Sequence, residues 1–155
     1  HAIRWKGGVV QRAVASISIQ CPPEAIFGLL APDQMVQWYG LEEKPRVQRA
    51  SSETPGVGVR YALVQRMMWG EVPIEVEILD YEPPALVRSR ASNDHFEGVL
   101  TVVLKSENSA TRVQMTEEFT ARGGLGKLLE PLFAQQAQAR AEQALQRLKQ
   151  LVEGA

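Results

Sequence analysis

The sequence predicts an α+β domain in which a seven-stranded antiparallel sheet is covered by one long terminal helix, with two short helices after the first strand. Three observations predict it. Between Gln11 and Phe119 apolar and polar residues mostly alternate with a period of two, as half-buried strands do. The breaks in that alternation are short and carry turn residues (Thr54-Pro55-Gly56, Trp69-Gly70, Pro83-Pro84, Asn93-Asp94 and Glu107-Asn108-Ser109), which favours hairpin links over the long crossovers of a parallel sheet. From Arg122 to Glu153 the period changes: Leu125, Leu128, Leu129, Leu132, Phe133, Ala137, Ala141, Ala144, Leu145, Leu148, Leu151 and Val152 recur at steps of three and four, the stripe of an amphipathic helix.

Residues 1–8 read as a leader, with His1 in place of Met pointing to a trimmed or cloning-derived start, and residues 9–155 as a single domain. Val9 to Gln20 is the first strand, with Ala13, Ala15, Ile17 and Ile19 on one face. Cys21-Pro22-Pro23-Glu24 ends it and opens a helix, since proline is tolerated in a first helical turn; Ile26, Phe27, Leu29 and Leu30 supply its buried side. Ala31-Pro32-Asp33 breaks that helix and is expected to cap a second through Met35, Val36 and Trp38. Strands follow near 46–51, 58–67, 71–81, 86–91, 96–105 and 111–119. Val59, Tyr61 and Leu63 face inward, as do Val72, Ile74, Val76 and Ile78, then Ser89 and Ala91, then Phe96, Leu100, Val102 and Leu104, then Val113, Met115, Glu117 and Phe119. In the terminal segment Pro131 lacks an amide donor and disfavours helix at Glu130. A short turn at 125–129 is therefore expected before a main helix over 131–152, with Gly123-Gly124-Leu125-Gly126 as its hinge and the start of the helix as a gate. Small residues on the sheet (Ala13, Ala15, Ser89, Ala91) opposite small or polar ones on the helix predict a void.

Composition narrows the functions. The net charge of −1, with Lys and Arg spread along the chain, offers no bulk attraction to nucleic acid. No apolar run approaches the roughly 20 residues of a bilayer span. The single cysteine rules out an internal disulfide and suits a reducing cytoplasm. Two histidines and one cysteine assemble neither a metal cluster nor a nucleophile dyad, so no cofactor or metal is expected.

Glu117 shares a strand face with Val113, Met115 and Phe119, where a carboxylate needs a partner or a raised pKa. It would bind a ligand hydroxyl or act as a general base, or else sit at the strand end against water or Arg140. Arg140 lies on the helix stripe between Ala137 and Ala144. Its planar donor fork suits a carboxylate or enolate, while its stem could equally lie along the sheet with the charge in solvent. Tyr61 and Trp38 read as wall residues, and Met35, Met67, Met68 and Met115 as adaptable filling. Arg88 and Arg90 fall on the wet face beside Glu75, Glu77 and Glu97. His95 reads as a solvated loop residue, and Cys21 as structural.

The order of elements resembles the helix-grip fold of the START and birch-pollen-allergen-like superfamily, in its polyketide cyclase/dehydrase and lipid-transport branch. The stretches that carry the resemblance are 17–39 (ISIQCPPEAIFGLLAPDQMVQWY), 55–61 (PGVGVRY), 75–87 (EVEILDYEPPALV), 110–119 (ATRVQMTEEF) and the terminal helix. The turn 106–110 departs from the pattern in lacking a glycine before Thr111-Arg112. The resemblance implies a cavity between sheet and helix for a hydrophobic or amphipathic small molecule, and transfers no catalytic set. The residues expected to line it are Trp38, Val59, Tyr61, Leu63, Ile74, Val76, Ser89, Ala91, Leu100, Met115, Glu117, Phe133, Gln136 and Arg140. Three functions stay open: a carrier, a cyclase or dehydratase using Glu117, Arg140 and Tyr61, and a protein-interaction module.

Overall fold

The computed structural model describes residues 10–40 and 44–154; the leader and Val9 lie outside the described residues. Strand β1 (Gln11–Ile19) is followed by α1 (Glu24–Phe27) and α2 (Pro32–Met35). Then come β2 (Arg46–Ala50), β3 (Arg60–Met67), β4 (Gly70–Glu82), β5 (Leu86–Ser92), β6 (Phe96–Glu107), β7 (Ala110–Ala121) and α3 (Gly123–Glu153). The seven strands form one antiparallel sheet in the order β1-β7-β6-β5-β4-β3-β2, so the chain meanders from one edge and its first strand closes against its last. This is the helix-grip architecture.

The turns follow from local chemistry. In the β6–β7 hairpin Asn108 takes φ 59°, the left-handed conformation that Asn adopts more readily than other non-glycine residues. This is how the turn manages without the glycine that the resemblance led one to look for. Asn93 Oδ1 accepts hydrogen bonds from the backbone N–H groups of His95 and Phe96 and fixes the β5–β6 turn. On the outer face Arg90 pairs with Glu97 at 2.9 Å and Arg88 with Asp80 at 3.3 Å. Both arginines thus form ion pairs on that face, with Asp80 rather than Glu75 or Glu77 as the partner of Arg88, but the face is not wet at Arg90: Glu97 is buried, and Glu97 Oε2 and Arg90 Nε have no hydrogen-bond partner.

Three expectations about the helices are corrected. First, α3 is a single helix through Pro131. The proline is exposed, and the flanking helix is held by packing on both sides of it, so one missing backbone bond does not end it. Second, the glycine cluster is a docking point. A side chain at Gly126 would run into the backbone carbonyl of His95, the Arg122 N–H donates to that same carbonyl at 2.6 Å, and Arg122 Nη1 reaches Asn93 O at 3.4 Å. The start of the helix is therefore fastened to the β5–β6 turn. Third, α2 begins with Ala31 at its N-cap and Pro32 in its first turn, and no side chain caps it; Asp33 lies inside.

Packing divides unevenly. α3 lies against β1 and β7. Ala13 and Ala15 meet Ala137, Ala141 and Ala144 there in one buried cluster, and small residues on both sides let helix and strand approach closely. These alanines therefore make a seam and not the void expected of them. Beyond it Ile19, Ile26, Leu30, Val113, Leu145 and Leu148 are completely or almost completely buried. Gln138 completes the β1 edge: its Nε2 donates to Val14 O at 2.7 Å and its Oε1 accepts from Val14 N–H at 3.3 Å. Among the described residues no helix is long and apolar enough to cross a membrane.

Candidate functional site

Because the helix leans on β1 and β7, the concave face of β3 to β6 is left to other cover. Residues 32–40 roof one end, and Phe133 and Arg140 from the middle of α3 roof the other. Between them lies a cavity of three overlapping chambers of about 180, 180 and 200 Å³. For scale, an engineered apolar cavity of about 150 Å³ admits a benzene ring. Ile74 borders all three chambers. The inner chamber is walled by Pro32, Met35, Val36, Leu63, Val76, Ala91, Leu100 and Phe119, and the outer one by Met67, Trp69, Val72, His95, Phe96 and Phe133.

The polar groups converge where the chambers meet. Glu117 reaches the cavity from β7, in register with Leu100 of β6, which is in turn in register with Ser89 of β5. Arg140 descends from α3 and places Nη2 4.0 Å from Glu117 Oε1, with its guanidinium carbon 5.5 Å from the centre of the Phe133 ring. That ring packs edge-on against Phe96 at 4.6 Å. Tyr39 brings its hydroxyl into hydrogen-bonding reach of the Glu117 carboxylate. Its backbone is held from both sides by one residue of α3: Arg147 Nε donates to Trp38 O at 2.9 Å and Arg147 Nη2 to Gly40 O at 3.1 Å. Three buried side-chain atoms around the cavity have no hydrogen-bond partner in the protein: Glu117 Oε2, Arg140 Nη1 and Ser89 Oγ.

Burial raises the Glu117 carboxyl above the ordinary carboxylate value, and the Arg140 charge and the Tyr39 hydroxyl pull it back only in part. Burial, then the Glu117 charge and its hydrogen bond, push the Tyr39 hydroxyl well above its usual range, so Tyr39 is a donor and not a base at neutral pH. A carboxylate so placed takes a proton more readily than a surface carboxylate, beside a fixed cation that favours negative charge.

Of the residues expected to line the cavity, Leu63, Ile74, Val76, Ser89, Ala91, Leu100, Glu117, Phe133 and Arg140 do border it. Five lie elsewhere. Trp38 is buried in the main core, its Nε1 donating to Leu29 O at 2.8 Å. Met115 points inward but beneath the alanine seam. Tyr61 and Val59 pack with Ile78 in a separate cluster, where burial, then Asp33 and Tyr81, push the Tyr61 hydroxyl up to about 12. Gln136 is exposed. Met35 and Met67 line the walls, whereas Met68 is fully exposed. His95 lies in the β5–β6 turn as expected but is half-buried at the outer chamber, its ring 6.5 Å from that of Trp69, and not fully solvated. Tyr39, Gln65, Ser92, Asn93 and His95 are polar wall residues that sequence reasoning missed.

Solved structures share this architecture. A Chromobacterium violaceum protein matches with a TM-score of 0.67 at 18% identity, covering 92% of this chain and 97% of that one. A Thermus thermophilus protein matches with a TM-score of 0.65 at 24% identity, covering 92% and 97%. Ara h 8.0201 matches with a TM-score of 0.65 at 11% identity, covering 95% and 100%. A search of curated proteins returns no match. Residues 10–153 match the family described as polyketide cyclase / dehydrase and lipid transport. The chain belongs to that family.

Proposed function

We propose that this protein binds a hydrophobic or amphipathic small molecule in the cavity between its sheet and α3. One observation carries the reading: apolar chambers large enough for ring systems converge on a half-paired polar cluster, Tyr39, Glu117 and Arg140. An enclosed apolar volume with a few placed polar groups is the usual form of a small-molecule site. A ligand burying on the order of 400 Å² of apolar surface gains roughly 10 kcal/mol. After an association cost of about 4 kcal/mol, roughly 6 kcal/mol remains, which corresponds to binding in the range of tens of micromolar.

The test is titration with the neutral fluorophore N-phenyl-1-naphthylamine, on the wild type and on Ala91→Phe, which fills the inner chamber. Saturable micromolar binding that weakens at least tenfold in the filled variant is the expected result. No saturable binding, or equal binding by both folded proteins, overturns the reading.

A catalytic reading, a cyclase or dehydratase, is favoured by the raised Glu117 carboxyl beside Arg140. On that reading Glu117 removes a proton from bound substrate and Arg140 holds the oxygen on which charge develops. Glu117→Gln separates the two readings: a carrier loses affinity at most, whereas an enzyme loses turnover by orders of magnitude with KM little changed.

A further inference from the structure

The polar cluster restricts what the cavity can accept, and this inference rests on the cavity-binding reading. The gap of 4.0 Å between Glu117 Oε1 and Arg140 Nη2 is longer than an N–H···O hydrogen bond. The two groups attract each other yet leave each other's inner atoms unpaired. Glu117 Oε2 and Arg140 Nη1 are both buried and have no partner in the protein. An ionised carboxylate only accepts hydrogen bonds and a guanidinium only donates them. Their unmet needs are therefore opposite and side by side: a donor at Glu117 and an acceptor at Arg140.

Charged ligands answer that demand badly. A carboxylate would satisfy Arg140 but set a second negative charge and a second pure acceptor against Glu117. An ammonium group would do the reverse. The Glu117 and Arg140 side chains are only 12% and 19% exposed and stand among Phe119, Phe133, Ile74 and Ala91, beside Ser92 and Asn93, so a charge set against them is screened less than in open water. We propose that the cavity selects ligands whose head group is uncharged and carries an N–H or O–H donor next to a carbonyl acceptor. An amide, a lactam, or an enol beside a carbonyl all qualify. In such a head group the donor is offered to the Glu117 carboxylate and the carbonyl to the Arg140 guanidinium; Oε2 and Nη1 are shielded in the empty cavity, so the two side chains turn to present them, both gain a partner and no charge is added.

Three probes that share one ring system test this. 2-Naphthamide offers donor and acceptor, 2-acetylnaphthalene an acceptor only, and 2-naphthoate two acceptors and a negative charge at pH 8. Calorimetric titration of the wild type is expected to rank them in that order, with naphthamide at least tenfold tighter than the ketone and at least a hundredfold tighter than the carboxylate. Glu117→Gln removes the like charge and is expected to shrink the gap between naphthamide and naphthoate at least tenfold. Equal affinities, or naphthoate binding tightest, overturn the inference while the cavity stands. An undiminished gap in folded Glu117→Gln also overturns it, because the discrimination then lies elsewhere. If none of the three binds, the cavity reading and this inference fall together. Should the variant not fold, the wild-type ranking decides alone.

Discussion

Glu117 feels one influence that favours its neutral form and two that favour its charged form, and burial is the largest of the three. Its pKa is raised in the folded protein, so protonation of this group favours folding. The contribution is present in full below the unfolded value of about 4.3 and is lost as the pH rises through the higher folded value. Glu117→Gln, which is permanently neutral, should therefore be more stable than the wild type at pH 7 and lose that advantage near pH 4. Urea denaturation at both pH values checks this, and an advantage that grows on acidification would refute it. At this scale legibility was uneven. Strand alternation put Glu117 inward, and the helical stripe put Arg140 opposite. Gln136 was misplaced because it lies about 60° around the helix from Phe133, on the side away from the alanine seam. Tyr39 was missed for want of a rule: Trp38 and Tyr39 are adjacent aromatics just past a four-residue helix, where no periodicity says which one turns to the cavity.

Arg147 shows how one element sets the geometry of another. It grips the carbonyls on either side of Tyr39, and the Tyr39 hydroxyl lowers the Glu117 pKa. Arg147→Gln should therefore raise the Glu117 pKa above its wild-type value, as read from the side-chain carboxyl in an NMR titration. It should also cost about 1.5 kcal/mol, the lower end for hydrogen bonds from a charged group, because Arg147 is an exposed residue. A stability loss with no change in the titration would make Arg147 a structural clamp only. The elements themselves were largely readable, because hydrophobic period and turn residues are local signals, and the described strands begin and end within two residues of expectation. Pro131 was not readable in the same way. The packing that carries α3 through it comes from Phe133, Ala137 and residues on other strands, and is invisible to a local rule.

At the scale of the whole molecule, stability and recognition occupy different ends of one sheet. The β1, β7 and α3 end is filled by the alanine seam and by large buried side chains, while the β3 to β6 end is hollow. Leu148→Ala should cost about 2–5 kcal/mol, as truncation in a closed core does. Ser89→Ala removes a buried hydroxyl that has no partner in the protein and should be neutral or slightly stabilising. Thermal denaturation of the two variants side by side checks the division, and a large loss for Ser89→Ala would contradict it. The hollow was foreseen from small sheet residues, correctly at Ser89 and Ala91 and wrongly at Ala13 and Ala15, since alanines opposite alanines draw helix and strand together. The same sheet also carries a hazard at its β1 border, where backbone groups not bonded to β7 point outward as a template for any extended chain. The Gln138 amide occupies that template at Val14 with one donor and one acceptor, much as the peptide group of an added strand would. A single side chain of the lid helix thus blocks the β1 border at Val14 and hinders the docking of a further strand on that edge.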